Sequence, residues 1–152
     1  MGYAKLVFML LSPAVVLVAA DPSVGTWKLD TAKSKFKAGP LYRHATLTIS
    51  ESGSDLDVAF KGTTTSGAAI SNHSSVPANG GTGKLIDMPS YDAVSSKRLN
   101  ATETELSMSK GGKVVYTTRS KLSKDGKTLT AAVKGTSAAG QKVEGTAVYE
   151  KQ

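Results

Sequence analysis

The chain has 152 residues, a formal net charge of +7 and no cysteine. That length suits one domain rather than two, and the fold cannot rely on disulfides or thiolate chemistry, so buried apolar surface must hold it together. Aromatic residues make up 6% and include a single tryptophan, so the position of each large ring is informative.

Residues 1 to 20, MGYAKLVFMLLSPAVVLVAA, hold one charge, Lys5, then an apolar run from Leu6 to Val18 and the small series Val18-Ala19-Ala20 before Asp21. This is the pattern of a secretory signal peptide cut after Ala20. Pro13 inside the run argues against a spanning helix, which needs about 20 apolar residues. The expectation is a periplasmic or secreted protein in which residues 21–152 form one domain.

The folded part opens on SVGTWKLD, Ser23 to Asp30, the first strand, near 25–30. The following TAKSKFKAGPLYR, 31–43, holds at most a turn or two of helix. Its Lys33, Lys35, Lys37 and Arg43 gather around Phe36 and Tyr42, a basic patch able to meet an anionic envelope surface. The other lysines are scattered, as on solvated strand faces, and no motif points to nucleic acid.

From residue 44 the pattern is alternation. Ala45, Leu47 and Ile49 share one face and Thr46, Thr48 and Ser50 the other; after Ser52-Gly53-Ser54 turns the chain, Leu56, Val58 and Phe60 point inward against Asp57, Ala59 and Lys61. Strands near 65–73, 83–88 and 92–98 follow. Between them VPANGGTGK, 76–84, reads as a flexible connection, because it lacks the spacing of a phosphate loop.

In the C-terminal half Thr104, Leu106 and Met108 alternate with Glu103, Glu105 and Ser107, Gly111-Gly112 turns the chain, and a strand returns over 113–122. Asp125-Gly126 predicts a tight hairpin with positive φ at both central residues. Leu129, Ala131 and Val133 then point inward, as do Val143, Gly145, Ala147 and Tyr149. Over 113–122, Val115, Thr117 and Arg119 share one face and Val114, Tyr116, Ser120 and Leu122 the other; the pattern does not decide which is inside. LDVAFKGTTTSG from Leu56 and LTAAVKGTSAAG from Leu129 form a faint repeat that reflects similar hairpin chemistry. About ten short strands and no amphipathic helix predict an all-β, antiparallel up-and-down meander that closes into a barrel of eight to ten strands. An open sandwich is the competing architecture.

Three stretches carry a resemblance. VGTWKL at 24–29 resembles the Gly-x-Trp signature that opens the first strand in the calycin superfamily, the lipocalins and fatty-acid-binding proteins. GTAVYEKQ at 145–152 is similar to the closing strand of the fatty-acid-binding proteins, and GGKVVYTTRSKLSKDGKTL at 111–129 to their penultimate hairpins. The resemblance implies a calycin-like barrel in which Trp27 plugs the closed end between first and last strands. It also implies that Arg119 and Tyr149 occupy two positions of a carboxylate site built from two arginines and a tyrosine, with Ala147 where the second arginine would stand. Residues 31–43 are too short for the family's helical lid.

Two functional readings follow. One is an exported, lipocalin-like, monomeric binding protein for a small hydrophobic or anionic amphipathic ligand, with Arg119, Tyr149, Phe60 and Met108 as candidate ligand-binding residues. Arg119 belongs there only if the Val115 face points inward; with the bulkier Tyr116 face inward it is a solvated surface charge. The alternative is a ligand-free envelope interaction or structural protein that uses its basic outer faces. No enzyme is expected: there is no cysteine nucleophile, no Gly-x-Ser-x-Gly elbow, and Asp55 and Asp57 read as a solvated face. No cofactor is expected, and His44 and His73 lie too far apart in sequence, with no carboxylate at ligand spacing, to suggest a metal.

Overall fold

The computed structural model describes residues 19–137 and 139–152; of the expected leader, 1–20, residues 1–18 lie outside the described residues. The alternating pattern resolves into twelve strands: β1 Gly25–Leu29, β2 Lys35–Ala38, β3 Tyr42–Ser52, β4 Asp55–Thr64, β5 Ala69–Pro77, β6 Gly81–Thr82, β7 Lys84–Asp87, β8 Ala93–Arg98, β9 Glu103–Lys110, β10 Lys113–Leu122, β11 Thr128–Thr136 and β12 Lys142–Lys151. All pairings are antiparallel, in the order β6-β8-β9-β10-β11-β12-β1-β3-β4-β5-β7, with β2 also on β12. No helix occurs among the described residues. The sheet curls into a nearly closed antiparallel barrel rather than a sandwich.

Twelve strands exceed the eight to ten expected, and the two additions have local causes. Where the sequence suggests only a turn or two of helix, β2 continues the line of β1 along the edge of β12: Leu29 pairs with Tyr149, and Lys35 and Phe36 with Thr146 and Gly145. Ser34 patches the break, its hydroxyl donating to the Asp30 carbonyl at 2.7 Å and accepting the Val148 N–H at 2.9 Å. Gly145 makes room for this strand, since a Cβ there would lie 2.6 Å from the Phe36 ring.

The second addition closes the barrel. The stretch 81–87 pairs first with β8, as β6, and then with β5, as β7, so one short segment touches both edges of the sheet. Gly83 sits at the crossing, where a Cβ would lie 2.4 Å from the Ser75 carbonyl oxygen. Its N–H donates to Val94 O at 2.9 Å, and Ser96 Oγ donates to Pro77 O at 2.8 Å across the same seam. Only a residue without a side chain fits so close a backbone approach. The strand expected over 65–73 runs instead over 69–77, after a turn in which Thr64 Oγ1 accepts the Ala68 N–H.

Two turns exchange roles. Gly111 and Gly112 take φ of 59° and 76° and form the two-residue hairpin between paired Lys110 and Lys113. At Asp125-Gly126 only the glycine has positive φ, and the loop is wider: the Ser123 N–H donates to Thr128 O. Asp125 instead accepts hydrogen bonds from the Ser123 hydroxyl and the Lys127 N–H, which organises the loop without a strained aspartate.

Trp27 is fully buried. It stands where β1 meets β3 at Leu47 and β12 at Lys151. Its indole Nε1–H donates to Ser23 O at 2.9 Å, tying residues 21–24 over this end of the barrel, and the Lys151 ammonium lies 5.2 Å from the ring centroid. Leu29, Ala45, Ile49, Leu56, Leu129 and Ala147 are buried with it in one core cluster.

A candidate ligand cavity

A strand alternates its side chains, so a sheet curled on itself sends every second residue to one interior. Here that interior is a cavity of about 630 Å³. Leu56, Val58 and Phe60 of β4 line it, as do Leu106 and Met108 of β9, Leu129, Ala131 and Val133 of β11, and Ala147 and Tyr149 of β12. The alanines leave the space open: larger side chains at Ala131 and Ala147, which pair directly with each other, would fill it.

Of the expected site residues, Phe60, Met108 and Tyr149 are brought together on the cavity wall. Arg119 is not. On β10 it is Tyr116, Thr118, Ser120 and Leu122 that face inward, and Arg119 stands on the outer face, 58% exposed, its Nη2 2.9 Å and Nε 3.3 Å from Glu103 Oε2. The reason is packing: burying Tyr116 and Leu122 outweighs burying Val115. A bulge between Val114 and Tyr116 then leaves Val114 exposed as well.

The charged residues on the cavity wall are Asp21 and Arg98, and they form an ion pair with each other. The Asp21 carboxylate also accepts the Ser23 N–H at 2.9 Å and the Ser23 hydroxyl at 2.6 Å, and Arg98 Nη1 donates to Thr104 Oγ1 at 3.4 Å. Burial pushes the Asp21 carboxyl up, but the Ser23 hydrogen bonds and the Arg98 guanidinium outweigh it and hold its pKa below the ordinary value. Sequence reasoning missed this pair, although a signal for Arg98 existed: it shares a strand face with apolar Val94 and with Ser96.

The phenols Tyr42, Tyr91, Tyr116 and Tyr149 all line the cavity. Burial and the neighbouring Tyr42 and Tyr91 phenols push Tyr116 up to about 12. Burial also raises Tyr149, with help from Tyr42 and Tyr116, and raises Tyr42, with help from Tyr91. Tyr42, Tyr116 and Tyr149 therefore stay protonated near neutral pH and can donate hydrogen bonds.

Outside the barrel, the basic 33–43 segment is partly neutralised. Lys33 pairs with Glu150 at 2.9 Å and Asp30 at 3.3 Å, and Lys37 with Glu144 at 3.4 Å. Among the described residues no three His, Asp or Glu side chains converge as a metal site would require.

No protein-family model and no curated protein matches the chain. Solved structures with a similar fold include a redesigned β-barrel, mFAP1, bound to DFHBI, at 13% identity and a TM-score of 0.44, with 86% of this chain and 95% of that one covered. Another is the zebrafish ileal bile acid-binding protein complexed with cholic acid, at 10% identity and a TM-score of 0.47, with 86% and 99% covered.

Proposed function

We propose that the protein is an exported binding protein, periplasmic or secreted, that holds one small apolar or amphipathic molecule inside its barrel and does not transform it. The cavity carries this reading. At about 630 Å³ it falls within the roughly 300–1,000 Å³ of small-molecule sites, and its largely apolar wall also carries hydroxyl and amide side chains, among them Asn72, Ser74, Thr118 and Ser120. A barrel serving only as scaffold would gain stability by filling that space with side chains. The envelope-binding alternative loses support where Lys33 and Lys37 are paired with the barrel's own carboxylates.

Titration with N-phenyl-1-naphthylamine, which fluoresces in apolar surroundings, tests the reading. Saturable one-site binding is expected, and Ala131→Phe should abolish it while far-UV circular dichroism stays native. Absence of saturable binding by the wild type, or unchanged binding by the filled variant, would refute it. Export is checked separately, by mass spectrometry of extracytoplasmic material: the mature chain should begin at Asp21.

A further inference from the structure

The walls say more about the occupant than its size. A chain of net charge +7 could have aimed a free lysine or arginine into its cavity, but the two charges found there cancel. An anionic head group would have to give up its water and then compete for Arg98 with a carboxylate also held by the Ser23 N–H and hydroxyl. A buried charge without a partner of its own is strongly disfavoured.

The apolar part of the wall is unusual in a second way. Aromatics are sparse in this chain, yet every phenylalanine and tyrosine among the described residues lines the cavity: Phe36, Phe60, Tyr42, Tyr91, Tyr116 and Tyr149. Tyr42 meets Phe60 edge to face, with centroids 5.4 Å apart and planes at 75°, and meets Phe36 at 6.2 Å and 65°. Tyr91 and Tyr116 lie 6.4 Å apart, tilted by 55°. Such tilted walls offer both edges and faces to a flat guest. Tyr91 donates to the Thr136 carbonyl at 3.5 Å, while Tyr42, Tyr116 and Tyr149, whose ionisation the neighbouring phenols perturb, bring O–H donors to that same wall, where an acceptor oxygen on the ligand would meet them.

We infer that the occupant is an uncharged ring system bearing a carbonyl-type oxygen, which sits among the cavity aromatics and accepts a hydrogen bond from the phenols. The inference rests on the binding reading above and narrows it: the anionic amphipath expected from the sequence is disfavoured by the paired Asp21 and Arg98, and Arg119 is not there to receive it.

Three naphthalenes of nearly equal shape provide the test, by isothermal titration of the intact purified protein. 2-Acetylnaphthalene is neutral and carries an acceptor, 2-naphthoate is the anion, and 2-ethylnaphthalene is neutral without oxygen. The acetyl compound should bind about tenfold more tightly than the naphthoate and about fivefold more tightly than the ethyl compound, the value of one modest hydrogen bond. Naphthoate binding as tight as the ketone overturns the charge selection, and ethylnaphthalene binding as tight overturns the acceptor. If none of the three binds while a fluorescent fatty acid does, the ring assignment is wrong and the binding reading survives. If neither these nor N-phenyl-1-naphthylamine binds, the binding reading falls and takes the inference with it. Asp21→Asn, which frees the guanidinium, should raise naphthoate affinity about tenfold relative to the ketone; no relative gain contradicts the role given to the ion pair. Should that variant fail to fold, the wild-type series still decides.

Discussion

Trp27→Ala removes the residue that joins the two ends of the chain. An indole of this kind buries about 150–250 Å², which at roughly 25 cal/mol per Å² is at most about 4–6 kcal/mol. The Nε1–H bond to Ser23 O adds about 1 kcal/mol. Against this, the unfolded chain already shields part of the indole, which lowers the burial term; β3 and β12 hold the site from both sides, so little collapse can refill the hole. The net expectation is a loss of about 4 kcal/mol, typical of large aromatic deletions and a large part of the roughly 5–15 kcal/mol that stabilises a domain. Since the only tryptophan is lost, urea unfolding should be followed by circular dichroism, with an unchanged slope showing that the same surface unfolds. Trp27→Phe, which keeps a ring but orphans the Ser23 carbonyl, should lose about 2 kcal/mol. A loss below about 1.5 kcal/mol for the alanine variant would show that the ring does not hold this end closed.

Other consequences are equally open to measurement. Arg119→Ala should change stability by less than about 0.5 kcal/mol and leave ligand titrations unaltered, because its guanidinium pairs with Glu103 on the outer face; a clear loss of affinity would return Arg119 to the site. Gly135→Ala should cost about 3 kcal/mol or prevent folding, since φ is +141° and a Cβ would lie 2.2 Å from Val115 O, whereas Gly53→Ala, at φ +64° in open space, should cost only about 1 kcal/mol. Equal costs in denaturant unfolding would contradict the close approach of β10 and β11. The Tyr116 phenol, raised from 10.0 to about 12, binds its proton more tightly in the folded state. Its stabilising contribution is therefore complete below pH 10 and lost as pH rises from about 10 to about 12. Circular dichroism and phenolate absorbance should change together in that window, and ionisation of all four cavity phenols near pH 10 in a folded protein would refute it.

Period-two alternation made most of the barrel legible. Ten strands, and the inward parity of Leu56, Leu106, Leu129 and Ala147, follow from local chemistry because one face is apolar and the other is not. Parity was silent for β10, where Val115 and Tyr116 compete, and only packing against β9 and β11 decides. It was silent also for β2 and β6, strands of four and two residues defined by the edge they meet rather than by their own sequence. The Asp21–Arg98 pair joins residues far apart in the chain, one of them beside the expected cleavage site, which dominates its local reading. Closure of the sheet, which brings them together, is a property of the whole chain.

The strand order has one more consequence. β1 and β12 are neighbours in the middle of the sheet, while both of its edges come from the centre of the chain. The Gln152 N–H donates to Thr26 O at 2.9 Å and Lys151 Nζ to Pro22 O at 3.4 Å, so residues 22–26 and 151–152 lie side by side. A circular permutant that links Gln152 to Asp21 through a few glycines and opens between Asp87 and Ala93 would read β8 through β12 and then β1 through β7. The widest sequence separations, β1 and β2 on β12, would become short, the packing of β5, β6 and β7 on β8 would become long-range in exchange, and the mean separation of contacting residues would drop. Such a chain should refold faster than the native order at similar stability, with closure of 81–87 on β8, which is local in the native order, as its one long-range step.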